Sequence, residues 1–441
     1  MTPRSSGLVV GAIVAAVALG ASASSARAPV GVLAQLGCLR AAANAEHCGR
    51  AVAIGGGPVV ASADGRSVYV AGQTSLAAFA RRPGGALRQL GGRSGCVDYH
   101  IVVPEPRANA RCAKAKLLWP TSAALSPDGR NLYLASWAFD PHGDRSDNYS
   151  DLAVFTRDRT GALHQLGCLG PTTRGACVAG RALDGPESVV VSPDGRNVYV
   201  GSSGGIAVFA RVARTGILRQ LTGSAGALRE PGVLALAVSP DGRNVYAVSG
   251  PNDHELLLAF RRNGSGALTK VGAPATRFVG PGFCYSLATS ADGRSLYVGS
   301  CGDLTVFSRN ASGGLTQTQC IDASGTPGHG CRGDTGTEPQ TSIALSRDGR
   351  NLYFAFNIGR KAQPGGITAF TRAASGSLTR LGGAAGCFTE TGSHGACTKA
   401  RGIESPRALA LSPDGRSLYS SGFVGRLCCR DGDVGIFRRT P

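Results

Sequence analysis

After its first 28 residues the chain has no apolar run long enough to cross a bilayer, and none of its close cysteine pairs has the CxxC spacing of a structural zinc site. HExxH, a phosphate-binding glycine loop and any Ser-His-Asp order are all missing, as is any specific nucleic-acid motif. Lysine is scarce: only Lys114, Lys116, Lys270, Lys361 and Lys399 are found among the 46 basic residues, and the others are arginine. These gaps exclude the common metalloenzyme and nucleotide-binding classes and any transmembrane span in a mature chain. They leave a formal charge of +18, a basic surface suited to loose association with anionic polymers or surfaces.

What is present begins with an exported design. Arg4, the apolar run Leu8 to Leu19 and the small residues Ala21 and Ala23 make residues 1–28 a secretory signal peptide, with an uncleaved anchor as the alternative. The run is shorter than the roughly 20 residues of a spanning helix. Residues 29–441 then form a single domain, expected outside the cytoplasm as a monomer. Fourteen cysteines in such a compartment point to disulfides. Cys38 with Cys48, Cys168 with Cys177, Cys320 with Cys331 and Cys387 with Cys397 are close pairs, and Cys96 with Cys112 is a wider one. Each closure contributes about 2 to 3 kcal/mol at these loop lengths.

Internal repetition decides the fold. "SADGRSVY" at Ser62 returns in variant form at Ser126, Ser192, Ser239, Ser290, Ser346 and Ser412, each an Asp-Gly turn between two apolar runs and therefore a hairpin. A third strand ending in Phe-x-Arg follows every hairpin, and a fourth of the type "GALRQL" follows six of the seven. The seventh lacks it because the chain ends. The missing strand stands at the other end of the sequence: "GVLAQLGCL" at residues 31–39 matches "GALHQLGCL" at 161–169 in seven of nine positions. The expected fold is all-β, a seven-bladed β-propeller with four antiparallel strands per blade, closed by an N-terminal strand that completes the last blade. The recurrent Tyr after each turn and Phe in each third strand read as packing between blades. A two-residue turn at Asp292-Gly293 sets Cys284 opposite Cys301 as a further disulfide, whereas a three-residue turn would separate them. Cys428 and Cys429 leave a vicinal disulfide, separate partners and a reactive dithiol all open.

The "SPDGRNVYV" units followed by "AVF" and "GxL" strands resemble the YVTN-type repeats of lactonase-like seven-bladed propellers, which include 6-phosphogluconolactonases and carboxymuconate lactonising enzymes. The resemblance implies a His-Pro-His loop leading into an innermost strand, with Glu and Arg beside it at the mouth of the central channel. None of the seven matching loops here contains histidine. Thr121, Glu187, Glu230, Glu338, Gln340, Glu404 and Arg407 remain as the channel-mouth candidates, a carboxylate-rich set with one cation.

Function is expected at the end of the ring where the blades differ, since unequal loops on a rigid scaffold are where binding resides. That end carries the close cysteine pairs, six of the seven histidines and the insertions at 93–119 and 137–151. Within the second insertion Asp140, His142, Asp144 and Asp147 offer ligands for Ca²⁺, without EF-hand spacing. No other cofactor is indicated. The opposite end gathers the seven Asp-Gly-Arg turns and seven Phe-x-Arg arginines, expected as Asp and Arg paired on a solvated rim. The leading expectation is a binding module for a small molecule, glycan or protein; the alternative is a lactonase-like hydrolase using the carboxylates with Arg407.

Overall fold

The computed structural model describes residues 30–41, 47–98, 112–115, 119–138, 149–172, 177–250, 255–278, 285–300, 303–322, 342–356, 365–424 and 432–441. Seven separate sheets are present, each running outward from an innermost strand. The innermost strands are Val59–Ala61, Pro120–Leu125, Pro186–Val191, Val233–Val238, Ser286–Thr289, Ser342–Leu345 and Ser405–Leu411. Each packs against the next, and the last against the first, so the chain is a closed seven-bladed β-propeller.

Closure is made by the N-terminal segment. Leu33–Arg40 pairs antiparallel with Gly432–Arg439, from Leu33 opposite Arg439 to Arg40 opposite Asp433. The Gly31 N–H donates to the Thr440 carbonyl at 2.7 Å, and the Thr440 N–H returns to Val32 at 2.9 Å. Blade 7 thus takes its outermost strand from one end of the chain and its other three from the opposite end.

The core lies between blades. Seven apolar clusters occupy the seven interfaces, as where Tyr69, Leu76 and Ala78 of blade 1 meet Leu132, Leu134 and Phe155 of blade 2. All seven repeat tyrosines and all seven third-strand phenylalanines are fully buried, each contributing about 1.5–3 kcal/mol.

The hairpin turns are one step larger than a two-residue loop. In blade 1 the Ser62 N–H donates to the Ser67 carbonyl at 2.9 Å, leaving a four-residue loop in which Gly65 takes φ of 68°. The Ser67 N–H donates to the Ser62 hydroxyl and the Arg66 N–H to the Asp64 carboxylate, so these side chains replace a ladder bond. Four and two are both even, so the expected register survives: Ser286 opposes Gly299 and Thr289 opposes Leu296. Cys284 and Cys301, at the continuation of that register, lie outside the described residues.

The Phe-x-Arg arginines are buried bolts, where a solvated rim was expected. Arg211 donates from Nε to the Tyr133 hydroxyl (2.9 Å), from Nη1 to the Gly195 carbonyl (3.1 Å) and from Nη2 to Asp128 (2.8 Å) and Asn131 (2.6 Å) of the preceding blade. Tyr133 in turn donates to the Gly216 carbonyl at 2.9 Å. The same ion pair joins every neighbouring pair of blades: Arg81 to Asp414, Arg157 to Asp64, Arg262 to Asp194, Arg309 to Asp241, Arg372 to Asp292 and Arg439 to Asp348. At the closure point the Tyr353 hydroxyl reaches the Gly31 carbonyl at 2.6 Å.

Fourth strands come in two forms. Blades 2, 5 and 7 have a continuous eight-residue strand with one bulge, as in Leu163–Gly170. In blade 1 the strand breaks into Leu87–Gln89 and Cys96–Asp98, both paired with Ser75–Arg81, around the helical turn Gly92–Gly95. Blades 3 and 6 repeat this with Gly223–Gly226 and Gly383–Gly386, and blade 4 breaks into Leu268–Lys270 and Thr276–Phe278 without a helical turn. Gly92, Gly223 and Gly383 take left-handed φ of 54° to 61°, which interrupts a strand.

Four disulfides, Cys38–Cys48, Cys96–Cys112, Cys168–Cys177 and Cys387–Cys397, have Cα separations of 4.6–4.8 Å. Each stands immediately before a two-residue parallel ladder, such as Leu39 opposite Gly49 and Arg40 opposite Arg50. The loop leaving the outermost strand is therefore folded back beside it and stapled there. Cys320 is also disulfide-bonded; its expected partner Cys331, with Cys428 and Cys429, lies outside the described residues.

Candidate functional site at the channel mouth

The stapled loops and the starts of the innermost strands lie at the same end of the ring, opposite the Asp-Gly-Arg turns. Three candidates occupy equivalent places there. Thr121, Glu187 and Arg407 each follow a proline, and each is the extra residue of a β-bulge against the second strand. Bulges re-aim a side chain while leaving the sheet intact, so the three are displaced from the regular pleat at the channel mouth.

Their surroundings differ. The Thr121 hydroxyl is used structurally, donating to the Pro186 carbonyl of blade 3 at 2.7 Å. The Arg407 guanidinium lies over the Phe423 ring, 4.5 Å from its centroid, a cation–π contact within blade 7. The Glu187 carboxylate accepts the indole N–H of Trp137, which sits on the second strand of blade 2. Burial pushes the Glu187 carboxyl up to about 7, and the tryptophan hydrogen bond offsets only some of that rise.

The sequence reading overlooked both tryptophans. Trp119 and Trp137, the two in the chain, meet here. The Trp119 carbonyl accepts the backbone N–H of Trp137 at 3.3 Å, and the backbone N–H of Trp119 donates to the Gln73 carbonyl of blade 1 at 2.5 Å. Trp119 is 43% exposed and takes φ of 47°, a left-handed conformation unfavourable for a bulky side chain. The side-chain amide nitrogen of the same Gln73 is buried with no hydrogen-bond partner among the described residues. The available signal was composition: two tryptophans, both beside the innermost strand of blade 2.

Other candidates take different positions. Glu230 accepts Lys270 Nζ at 3.0 Å, and Lys270 belongs to the outermost strand of blade 4, so this carboxylate is tied away from the axis. Glu404 lies in the connection from blade 6 to blade 7, beside a charged group that the sequence did not suggest: Asp433, Glu390 and Arg40. Arg40 bridges Glu390 at 2.7 Å. Asp433 is fully buried, and its carboxyl is pushed up to about 7 by burial and then by Glu390, with Arg40 pulling it down to a lesser extent. Glu338, Gln340, Asp140, His142, Asp144 and Asp147 lie outside the described residues. Among the described residues no group of three or more His, Cys, Asp or Glu could hold a metal ion, and no helix is long and apolar enough to cross a membrane.

Two carboxyls raised to about 7 give a pH dependence of definite sign. Each holds its proton in the folded state up to about 7 while the unfolded chain releases it near 4, so their stabilising contribution is complete at low pH and lost as pH rises towards and through 7. Glu187→Gln and Asp433→Asn should each flatten this fall, by about 3 kcal/mol for Glu187 at 1.4 kcal/mol per pH unit. Urea unfolding at mildly acidic and mildly alkaline pH measures it; a variant that tracks the parent at both would remove that residue from the account.

No curated protein sequence matches the chain significantly. Among solved structures, the periplasmic gluconolactonase PpgL of Pseudomonas aeruginosa superposes with a TM-score of 0.50 at 18% identity, over 87% of this chain and 99% of that one. The Cps50 (Swd1) β-propeller domain of Myceliophteria thermophila gives 0.50 at 10% identity, over 86% and 95%. A putative 6-phosphogluconolactonase from Bacteroides uniformis gives 0.49 at 19%, over 82% and 87%. At such identities the likeness is one of fold. Residues 198–339, about a third of the chain, match the family model described as Lactonase, 7-bladed beta-propeller, and the seven closed blades make the protein a seven-bladed β-propeller that is similar to that family over this stretch.

Proposed function

We propose that the channel mouth beside blades 1 to 3 binds a small polyhydroxylated molecule, and that the protein works outside the cytoplasm as a disulfide-stapled binding module. The observation that carries this is the exposed Trp119 joined by a backbone hydrogen bond to Trp137, whose indole donates to Glu187. An exposed indole offers a stacking face, and a carboxyl near its titration point both donates and accepts hydrogen bonds. Four disulfides are compatible with an oxidising compartment.

Because the chain's only tryptophans stand at this site, their fluorescence reports occupancy directly. Titration with sugar acids, sugar lactones and short glycans should change the emission, and Trp119→Ala should weaken binding at least tenfold while leaving the fold intact. No saturable change with any of these compounds would count against the proposal.

A second reading is favoured by Glu187 alone. A carboxyl with its pKa near 7 is suited to general acid–base work at neutral pH. It could take a proton from water attacking a lactone carbonyl, opening the ring to the hydroxy acid. Lactones are the first compounds to assay, since the similarly folded PpgL carries a gluconolactonase name. Turnover that disappears in Glu187→Gln and in Arg407→Ala would make the protein a hydrolase; binding without turnover would leave the module reading standing.

A further inference from the structure

The end of the ring opposite the mouth is strongly and regularly charged. Arg66, Arg130, Arg196, Arg243, Arg294, Arg350 and Arg416 project from the seven turns, on the side away from the stapled loops. Their turn aspartates do not neutralise them, because each aspartate is in an ion pair with a buried arginine of the next blade. Burial of those arginines thus leaves one positive charge per blade facing solvent. Arg82, Arg159, Arg214 and Arg347, on turns at the same end, are exposed as well. Against these eleven stand only Asp158, hydrogen-bonded to Thr160 and His164, and the terminal carboxylate, among the described residues at that end.

A second, independent feature lies at the same end. The chain enters the ring there: Gly31 is bonded to Thr440, and the Asn351 side chain donates to the Val30 carbonyl at 3.4 Å beside the Arg439 bolt. The chain therefore enters the propeller on the arginine side, and in the sequence the apolar run Leu8 to Leu19 precedes that point. A broad cationic end on one side of a rigid disc, where the chain also enters the ring, matches a planar anionic surface. A linear polyanion would cover only a sector of a seven-fold ring.

We propose that the Asp-Gly-Arg end of the propeller is a docking surface for an anionic lipid bilayer, which turns the channel mouth away from the membrane. Each arginine near such a surface strengthens attachment about fivefold, and the effect is screened within roughly 10 Å at 0.1 M salt. The inference is independent of what the mouth binds.

The test is co-sedimentation of protein recovered after export with vesicles of phosphatidylcholine, alone or mixed with phosphatidylglycerol. Binding is expected only with phosphatidylglycerol present and should disappear at high salt. Replacing Arg66, Arg130, Arg243 and Arg350 together by Gln should weaken it by roughly two orders of magnitude or more, with the urea midpoint unchanged. Replacing Arg50, Lys114, Lys399 and Arg401, exposed at the opposite end, should have little effect. Equal loss from both sets would overturn the proposal. So would salt-resistant binding to phosphatidylcholine alone, which assigns attachment to the apolar run, or binding to soluble polyphosphate with none to vesicles.

Discussion

A chain lacking residues 30–40 should lose the cooperative unfolding of the whole ring. The deletion strips the outermost strand from blade 7 and uncovers Gly432–Arg439, whose Ile436 and Phe437 are buried in the intact protein. It removes the carbonyl that receives Tyr353 and the partner of Cys48. An open hydrogen-bonding edge invites pairing with other chains, so aggregation and rapid proteolysis of 432–441 are expected along with a collapsed melting transition. A peptide of residues 30–41 supplied in trans should restore some of the transition, as strand addition does elsewhere. A deletion variant that melts like the parent would show that the clasp is dispensable.

The second large effect concerns a single bolt. Arg211 has 1% of its side chain exposed and serves Asp128, Asn131, Tyr133 and Gly195 at once. Arg211→Ala leaves those groups without their donor and should cost about 2–4 kcal/mol, chiefly from the buried acceptors left unsatisfied, since Asp128 itself reaches solvent. Arg66→Ala, on a solvent-facing turn, should stay within about 0.5 kcal/mol. Arg211→Lys should recover little, because an ammonium cannot serve a tyrosine, an aspartate and a carbonyl from one planar fork. Urea unfolding of the three variants decides the matter; equal losses at Arg211 and Arg66 would mean that the bolts hold nothing.

The blades were legible because their determinants are local and repeated. Ser62, Asp64 and Gly65 specify a hairpin by themselves, and seven copies with one displaced fourth strand leave a single way to close the ring. The Asp–Arg pairing of the bolts was expected, but their burial and their crossing from blade to blade were not legible. Arg157 and Asp64 are 93 positions apart, and only the angle between neighbouring sheets brings them together. The split fourth strands were hidden for a different reason: "QLGC" and "QLGG" differ by one glycine, yet the second glycine takes a left-handed φ and ends the strand. The parallel edge ladders depend on the disulfides that hold them.

At the mouth, position was legible and direction was not. The residue after each proline was identified from loop alignment, but Thr121 turns to a carbonyl, Arg407 to a ring and Glu187 to an indole. Those choices are set by neighbours on other strands. Trp119 and Trp137 escaped notice because neither recurs from blade to blade, and the repeat directs attention to what recurs. Asp433 escaped for the converse reason: its type is ordinary, and only complete burial beside Glu390 makes it titrate late.

The antiparallel clasp also fixes how the ring yields to force. Gly31 and Thr440 lie side by side where the two ends of the chain leave the same sheet. Tension applied between those ends loads the pairing of Leu33–Arg40 with Gly432–Arg439 in unzipping geometry, so its hydrogen bonds break in succession, beginning at the termini. Tension on the N-terminus alone, the load a membrane tether would impose, pulls on the strand that every other blade relies on for closure.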